Sequence, residues 1–566
     1  MSAAALLTAT TLLLVAGSVE LVAVAGFALG FPISSATLPL GTLMAGLGTA
    51  ALARAREFAG WRRSAARALV SAVVIVAGAI GAAGSIHDTT WDGNWYHQPA
   101  VMALANGWNP LAGPPSGEAA RAGMLVKYSA KTDALTSTAA VTHYAKGAWY
   151  LAAALIRAGA RFEQSKAFNL VFVVAAALTA FAAVHTLARW TAPRAALAAA
   201  LVALNPVATC QAFTFYVDGQ LGSLLAVLVA AGALAARAPD PIAVVAFGTA
   251  VALVVNVKFS GVAYAPVLVV AVCCLALRLR GPRPAAAMAS VAAVAFAVGA
   301  LAIGWNPYVT NTLAKGHPLY PIAGPHAIDV LSLNLPRGFR AMNRFERLAV
   351  SVFSVSANGI PGELSARPKI PFTAARWNFG IFGAPDVRLG GFGPLFSGAL
   401  VVAAILALAS LASAPRAATP WVFAALSLLI STLVVTEGWW ARFAPQLWLV
   451  PFVLGLAPVV GKPRLTSSLG GLLLAVLTAN AVLVLVFHLQ HKVTLEKAVR
   501  AELRALSAEP SGIDVRIQYF EGVRFRLGEA GVRFRVVETL SCQRPQIIAA
   551  SDALWCPHGS GGIPPP

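Results

Sequence analysis

Apolar stretches of about 20 residues recur along the sequence, and no other feature restricts the fold so strongly. One such stretch crosses the hydrocarbon core of a bilayer as a single helix. Because 58% of the 566 residues are hydrophobic and only 11% are charged, a water-soluble core could not bury the apolar surface. The sequence therefore predicts an all-α polytopic membrane protein that has the lipid bilayer as a partner. Its many small residues favour a compact helix bundle.

Thirteen transmembrane helices are expected, and together they define a transmembrane domain over residues 1–488. The first is interpreted as a retained helix, because no basic segment precedes it and no small-residue cleavage site follows it. The predicted boundaries are 5–30, 36–53, 67–86, 167–188, 195–215, 219–236, 241–257, 260–278, 284–304, 393–413, 418–436, 443–460 and 466–488.

Positive charge alternates along the connections between these helices. Every short connection after an even-numbered helix carries basic residues, and cytoplasmic loops are the ones that collect Lys and Arg. The N-terminus is therefore predicted to be cytoplasmic, and the long loops 87–166 and 305–392 and the segment 489–566 to be external. The basic residues concerned are Arg54, Arg56, Arg62, Arg63, Arg67, Arg189, Arg194, Arg237, Arg278, Arg280, Arg283, Arg416, Lys462 and Arg464.

The net charge of +20 follows from this topology. No basic strip interleaved with aromatic residues is present, so nucleic acid is not expected as a partner. No cysteine and histidine spacing indicates a zinc site. Three cysteines, Cys210, Cys273 and Cys274, lie in or beside apolar stretches and are interpreted as packing residues.

Two segments outside the helix bundle have a recognisable pattern. Residues 149–158 are amphipathic but too short to span, and they predict a helix lying at the membrane interface. The segment 489–566 predicts a small external α+β appendage that is strand-like over 523–540. Cys542 and Cys556 in this appendage could form a disulfide if it lies in an oxidising compartment.

Ionisable and aromatic residues crowd the start of the first external loop. Residues 87–98 contain two carboxylates, two histidines and three aromatic residues directly after a predicted span, with Asp88, Asp92, Tyr96 and His97 among them. A structural interpretation is also open, since Trp and Tyr anchor proteins at the interface and Asp can cap a helix.

Other predicted external connections add charges at the same membrane depth. Tyr216 and Asp218 lie between two spans, Lys258 lies in a very short connection, and Glu437 and Arg442 lie at the outer ends of two further spans. Ionisable groups at this depth are costly and are candidates for function. The alternatives are snorkelling of the two cations to lipid headgroups and helix capping by the aspartate.

Carboxylates beside cations suit a substrate that carries a phosphate at the membrane surface. Arg and Lys would hold the phosphate, and Arg can do so through two parallel hydrogen bonds. A carboxylate could accept the proton of an attacking hydroxyl group, and aromatic rings offer faces for a sugar.

Several short segments, in a consistent order between about residues 85 and 450, resemble the motifs of bacterial GT-C-type glycosyltransferases. These polytopic enzymes use polyprenyl-phosphate-linked sugars. Here the first external loop follows the third predicted span rather than the first, and Ala145 replaces the usual proline. The similar segments are WDGNWYHQP (91–99), HYAKG (143–147), NPY with GHPLYP (306–308 and 316–321), GGFGP (390–394) and ARFAP (441–445).

The resemblance implies an inverting transfer of a sugar from a polyprenyl-phosphate donor to a lipid or glycan acceptor, at the periplasmic face of the bacterial inner membrane. It implies that the base is Asp92 as first choice and Asp88 as second. It further implies that Arg442, with Lys258 or Lys146, holds the leaving phosphate. The remaining predicted substrate contacts are Asp218, Tyr96, His97, Glu437 and Tyr216.

No cofactor is expected with certainty. Some similar enzymes need a divalent metal, but no metal ligands can be assigned in this sequence.

Two other classes of protein stay open. A transporter or flippase of lipid-linked saccharides would place ionisable residues near mid-membrane, whereas here they lie at helix ends. A polymerase or ligase acting on lipid-linked glycans would share most of the predicted features.

Overall fold

Helices dominate the computed structural model, which describes residues 1–57, 60–117, 136–329, 332–360, 362–374, 376–461 and 464–559. Of the chain, 69% is helical and 3% is in strands. Within these described ranges, nine helices are long and apolar enough to cross a membrane. By the length and composition of these helices the chain is a helical membrane protein, as the sequence predicts. The predicted cytoplasmic residue Lys462 lies outside the described residues.

The α-helices that precede the appendage have the following bounds in chain order: α1 (Ser2–Ala28), α2 (Thr37–Ala55), α3 (Trp61–Ala83), α4 (Gln98–Ala105), α5 (Ser137–His143), α6 (Gly147–Arg157), α7 (Phe168–Leu187), α8 (Ala192–Ala203), α9 (Pro206–Gln211), α10 (Asp218–Arg237), α11 (Pro241–Val257), α12 (Phe259–Arg280), α13 (Pro282–Ala297), α14 (Thr310–Lys315), α15 (Arg344–Val352), α16 (Phe396–Ser413), α17 (Pro415–Leu433), α18 (Leu449–Gly461) and α19 (Arg464–Ser507).

Short 3-10 and π-helical turns complete the backbone. Those used below are Gly93–His97, Phe162–Ala167, Val298–Ile303, Arg376–Gly383, Ala441–Phe443 and Pro445–Trp448. The nine candidate spans contain α1, α3, α7, α10, α12, α13, α16, α17 and α19.

The four other predicted spans coincide with α2, α8, α11 and α18, which are shorter or less apolar. The prediction of a single helix over 195–215 is wrong, because α8 ends at Ala203 and a separate short helix begins at Pro206. Proline lacks the N–H that would continue the first helix. The Asn205 side chain accepts a hydrogen bond from the Val207 N–H over 3.1 Å and caps the second helix.

Close helix packing explains the many small residues. At Gly41 of α2, an added Cβ atom would lie 2.6 Å from the Cγ2 atom of Val19 in α1, so only glycine permits this approach. The hydroxyl groups of Thr11 and Thr49 lie 3.0 Å apart between the same two helices. Helix α1 also packs against α7, α11 and α3, and it lies largely inside the bundle.

Helix α6 occupies the segment in which an interfacial helix was predicted. The helix exists, but its residues from Trp149 to Leu155 are all buried within the protein. It packs against α1 and α4. The expectation of an amphipathic helix with one face on the lipid is therefore wrong, because neighbouring helices cover both of its faces.

Helix α19 is the longest element, with 44 residues. At 1.5 Å per residue it is about 66 Å long, roughly twice the thickness of the hydrocarbon core. The predicted boundary at 488/489 falls inside this helix, because no Gly or Pro occurs between residues 472 and 507 to end it. The last predicted span and the first part of the appendage are thus one continuous rod.

The chain after α19 folds into a four-stranded sheet with one helix. Strands β1 (Ile513–Arg516), β2 (Phe534–Val536), β3 (Gln546–Ile547) and β4 (Leu554–Pro557) lie in the order β2-β1-β4-β3. β1 and β2 are parallel, and α20 (Val523–Glu529) connects them. The strand-like expectation over 523–540 is therefore wrong for its first part, because a parallel pair needs a crossover. A disulfide joins Cys542 to Cys556 in β4.

Candidate active site

A cavity of about 1250 Å³ opens where the loops after α3, α9, α11 and α17 meet. The residues that meet there are far apart in the sequence, so only the fold brings them together. Seven of the ten predicted catalytic or substrate-binding residues line this cavity, namely Asp92, Tyr96, His97, Tyr216, Lys258, Glu437 and Arg442.

Arg442 stands at the centre of the charged residues. The 3-10 turn Ala441–Phe443 carries it between α17 and α18, and its guanidinium group contacts three carboxylates. Its Nε atom lies 2.9 Å from Asp218, Nη2 lies 2.7 Å from Asp92, and Nη1 lies 3.4 Å from Asp386. The guanidinium also stacks over the Tyr216 ring, 4.5 Å from its centroid. One planar cation therefore ties together four separate parts of the chain.

Asp218 secures the buried side of this group. It is the first residue of α10 and is fully buried, so its charge requires partners. Besides Arg442, it contacts the Lys258 ammonium, and Gln211 donates a hydrogen bond to it over 3.0 Å. The helix-capping interpretation of Asp218 is wrong, because Val217 holds the cap position. Lys258 and Arg442 pair with this buried carboxylate rather than extending to lipid headgroups.

Asp92 borders the open side of the cavity, and its side chain is 19% exposed. It lies at the start of the π-helical turn Gly93–His97, close to the end of α3. The turn is tight, since a Cβ atom added at Gly93 would lie 2.2 Å from an Asp88 carboxylate oxygen. Glycine is therefore required at this position if both carboxylates are to keep their places.

Asp88 has a different environment and does not line the cavity. Its fully buried carboxylate accepts hydrogen bonds from the N–H and hydroxyl groups of Thr90 and from the Phe215 N–H, over 2.7 to 2.9 Å. These bonds hold the loop against the segment before α10. The second-choice assignment of Asp88 as base is corrected accordingly, because its oxygens are used within the protein.

Lys146 is also corrected as a phosphate ligand. It does not line the cavity, and only 1% of its surface is exposed. Its ammonium group donates to the backbone oxygens of Thr142 and Tyr144, over 2.8 Å each. The lysine thus closes the turn that precedes α6.

Aromatic residues form the wall beside Asp92. The Trp149 indole N–H donates to Nδ1 of His97 over 2.7 Å, which orients the imidazole. Burial lowers the pKa of His97 to about 4, so this residue is neutral at physiological pH. Tyr96 packs edge-on against Tyr144 with ring centroids 5.6 Å apart. The wall is therefore neutral and rigid.

Sequence reasoning missed Asp386 and Arg388, which line the cavity as well. They follow the 3-10 turn Arg376–Gly383, within a long loop and not at a helix end. Burial raises the pKa of Asp386 from its ordinary value to about 6, against the opposing effect of Arg442. The only available signal was an acid and an arginine two residues apart, shortly before a predicted span.

Aliphatic side chains also line the cavity. They come from the loops that follow α14 and α15 and from the end of α17, and they are Leu319, Ile322, Ile328, Leu333, Ile360 and Val435. Polar side chains of the same loops, Asp329, Asn334 and Asn358, line it as well. A ligand that fills the cavity would therefore meet both charged groups and aliphatic surface.

The appendage contacts the loop that carries Asp92. Gly522 donates its N–H to the backbone oxygen of Asn94 over 3.2 Å, and Arg526 donates to that of Asp88 over 3.2 Å. The ring of Trp91, which is half exposed, packs against Tyr519 and Phe520 with centroids 5.9 and 5.1 Å away. The loop 87–98 is thus held between the helix bundle and the appendage.

In the part of the chain that the structure describes, no group of three or more His, Cys, Asp or Glu residues could hold a metal ion. The carboxylates of Asp92, Asp218 and Asp386 surround Arg442, and its guanidinium occupies the position between them.

Comparison of the sequence with protein-family models and with curated proteins finds no match. The geometry of the cavity is therefore the main guide to function.

Proposed function

We propose that the protein is a GT-C-like membrane glycosyltransferase. It transfers a sugar from a polyprenyl-phosphate-linked donor to a hydroxyl group of a lipid or glycan acceptor, with Asp92 as base. The observation that carries this proposal is the cavity itself, which holds a partly exposed carboxylate beside an anchored guanidinium and is lined by aliphatic side chains as well.

The charged end of the cavity suits a phosphate group. Arg442 is held through Nε by the buried Asp218, so both of its terminal nitrogens face the partly exposed carboxylates Asp92 and Asp386. This edge of a guanidinium matches two oxygens of a phosphate. Lys258 also lines the cavity and adds a second positive charge.

The aliphatic lining suits the isoprenoid chain. Side chains such as Leu319, Ile322 and Ile360 would remove its first isoprene units from water, at about 25 cal/mol per Å² of buried apolar surface. The cavity volume of about 1250 Å³ leaves room for a sugar as well.

The reaction follows from this placement. The acceptor oxygen attacks the anomeric carbon, the bond from that carbon to the phosphate oxygen breaks, and the acceptor proton passes to Asp92. Polyprenyl phosphate leaves with its new charge facing Arg442. A carboxylate in this role typically contributes 10²- to 10⁴-fold to the rate. A single displacement of this kind inverts the anomeric configuration.

The proposal includes the topology predicted from the sequence, with thirteen spans, a cytoplasmic N-terminus and a periplasmic appendage in a bacterial inner membrane. In its support, the N-terminal residues, the end of α7 and two arginine-bearing connections line one cleft of about 450 Å³, with Ser2, Leu187, Arg56 and Arg237 among its residues. The disulfide of the appendage fits an oxidising compartment.

The test is sugar transfer by the full-length protein in lipid nanodiscs, supplied with a panel of radiolabelled polyprenyl-phosphate sugars and a membrane extract as acceptor. We expect one donor to be consumed, with release of polyprenyl phosphate.

Arg442→Lys keeps the positive charge but loses the edge formed by the two terminal nitrogens. It should therefore raise the KM for the donor about tenfold or more.

An unchanged KM for Arg442→Lys would remove Arg442 from the phosphate site. If no donor is consumed but lipid-linked sugars cross the bilayer of proteoliposomes, the protein is a transporter and the proposal fails.

A further inference from the structure

Arg442 has two sides that differ in burial. Its Nε side contacts Asp218, which is fully buried and also pairs with Lys258. Its Nη1 and Nη2 side contacts Asp386 and Asp92, each with 19% of its side chain exposed to the cavity. One side is therefore a permanent anchor, while the partners on the other side can be replaced by a ligand.

We propose, on the basis of the function proposed above, that the donor phosphate displaces Asp92 and Asp386 from this side of Arg442 and that Asp386 takes up a proton as it binds. The Oδ2 atom of Asp92 is then released from its ion pair with Arg442, and the carboxylate can accept a hydrogen bond from the acceptor hydroxyl. The protonated Asp386 becomes a hydrogen-bond donor to the phosphate. In the empty site the ion pair with Arg442 occupies the Asp92 carboxylate. Donor binding breaks this ion pair and thereby makes Asp92 available as the base.

The charge balance around Arg442 supports the proton uptake. Asp92, Asp218 and Asp386 are matched by Arg442, Lys258 and Arg388, so the empty group is neutral overall. A phosphodiester adds one negative charge beside two carboxylates in a partly desolvated site, and like charges at such distances favour protonation of one of them.

Asp386 is the carboxylate that fits this role. Its contact to Arg442 is longer than that of Asp92, at 3.4 Å against 2.7 Å, so it is held less firmly. Its pKa is already raised to about 6 by burial. The titratable and charged groups that face it are Arg442, Asp92, Arg388, Asp218, Tyr216 and Cys210.

Donor affinity depends on pH because a proton is taken up on binding. Above about pH 6 the Asp386 carboxyl of the empty site has lost this proton, so the affinity for the donor falls as the pH rises further. With one proton taken up, the dissociation constant rises by up to about tenfold per pH unit.

The experiment is isothermal titration of the full-length protein in nanodiscs with methyl farnesyl phosphate, a phosphodiester that carries one negative charge throughout the range used. Titrations at pH 7.5 in buffers of different ionisation enthalpy give the number of protons taken up. We expect about one for the wild type, and a dissociation constant that rises between pH 6.5 and 8.

Asp386→Asn should take up almost no proton, show a flat pH profile and bind the probe several-fold more tightly than the wild type at pH 8. The matched control is Glu538→Gln, which removes an exposed carboxylate of the appendage that does not line the cavity and should keep the uptake. Arg388→Gln removes a positive charge near Asp386 and should move the uptake to higher pH, which tests the assignment even if Asp386→Asn folds poorly.

Binding by the wild type without proton uptake would overturn the inference and leave the proposed function standing. Retained uptake in Asp386→Asn would do the same. If the folded wild type does not bind the phosphodiester at all, the phosphate site is wrong, and both the inference and the proposed function fail.

Discussion

Asp88 and Asp92 are four residues apart on the same loop, yet their environments are opposite. Asp88 is fully buried and accepts hydrogen bonds from Thr90 and Phe215, which hold the loop to the bundle. Asp92 borders the cavity, and among the described residues the charged side chain with which it pairs is that of Arg442. The first carboxylate is committed to the fold, and the second is available to a ligand.

This comparison shows what distinguishes a catalytic candidate from a structural residue in the same motif. Both acids follow a membrane span and both are surrounded by aromatic residues. The difference arises from partners more than 120 residues away, since Phe215 reaches one acid and Arg442 the other. Substitutions that remove charge but keep shape should therefore have different consequences at the two positions.

The largest effect is expected for Asp92→Asn. An amide cannot accept the acceptor proton, so turnover should fall by about 10²- to 10⁴-fold while donor binding persists. The measurement is the rate of sugar transfer together with donor affinity and the melting temperature. Transfer at more than a tenth of the wild-type rate would remove Asp92 from the role of base.

Asp88→Asn should instead act on stability. The new amide group must place an N–H against either the Thr90 or the Phe215 N–H, which leaves a buried donor without a partner at a cost of about 1–3 kcal/mol. We expect a lower melting temperature and a turnover per folded molecule within about threefold of the wild type. A stable but inactive Asp88→Asn protein would reverse the comparison between the two acids.

A smaller effect should come from the contact between appendage and loop. A Cβ atom added at Gly522 would lie 1.9 Å from the Gln98 side-chain oxygen and 2.6 Å from that of Asn94, so Gly522→Ala must displace these side chains. Both of them donate hydrogen bonds to the backbone oxygen of Asp88 in the loop that carries Asp92. We expect a severalfold loss of kcat with the transmembrane helices intact. Gly528→Ala is the control, because an added Cβ meets nothing within 4 Å there. Equal activity of the two variants would show that the appendage does not position the loop.

Hydrophobic pattern predicted the helical membrane class and the approximate places of most helices. Where the structure differs, the cause is local chemistry that a 20-residue average hides. Asn205 and Pro206 end one helix and begin another within a continuous apolar stretch. Helix α6 looks amphipathic in sequence, but α1 and α4, which lie far from it in the sequence, pack against it and bury it.

The candidate site was predictable to the extent that its residues lie at the ends of spans. Arg442, Lys258 and Asp218 satisfy this rule, and the structure brings them into contact. Lys146 was predicted from the family resemblance instead, and local backbone oxygens accept hydrogen bonds from its ammonium group. Asp386 does not lie at the end of a span. Its position beside Arg442 depends on the path of a long loop, which no periodic sequence pattern predicts.

The continuous helix α19 has a mechanical consequence. Its 44 residues begin in the last span and end at the appendage, so about half of the rod projects beyond the hydrocarbon core. A stiff rod answers a thicker or thinner bilayer by changing its tilt, and a change of 10° moves a point roughly 30 Å farther along by about 5 Å. Because the appendage contacts the loop beside Asp92, we expect lipid chain length to act on that loop from outside the cavity.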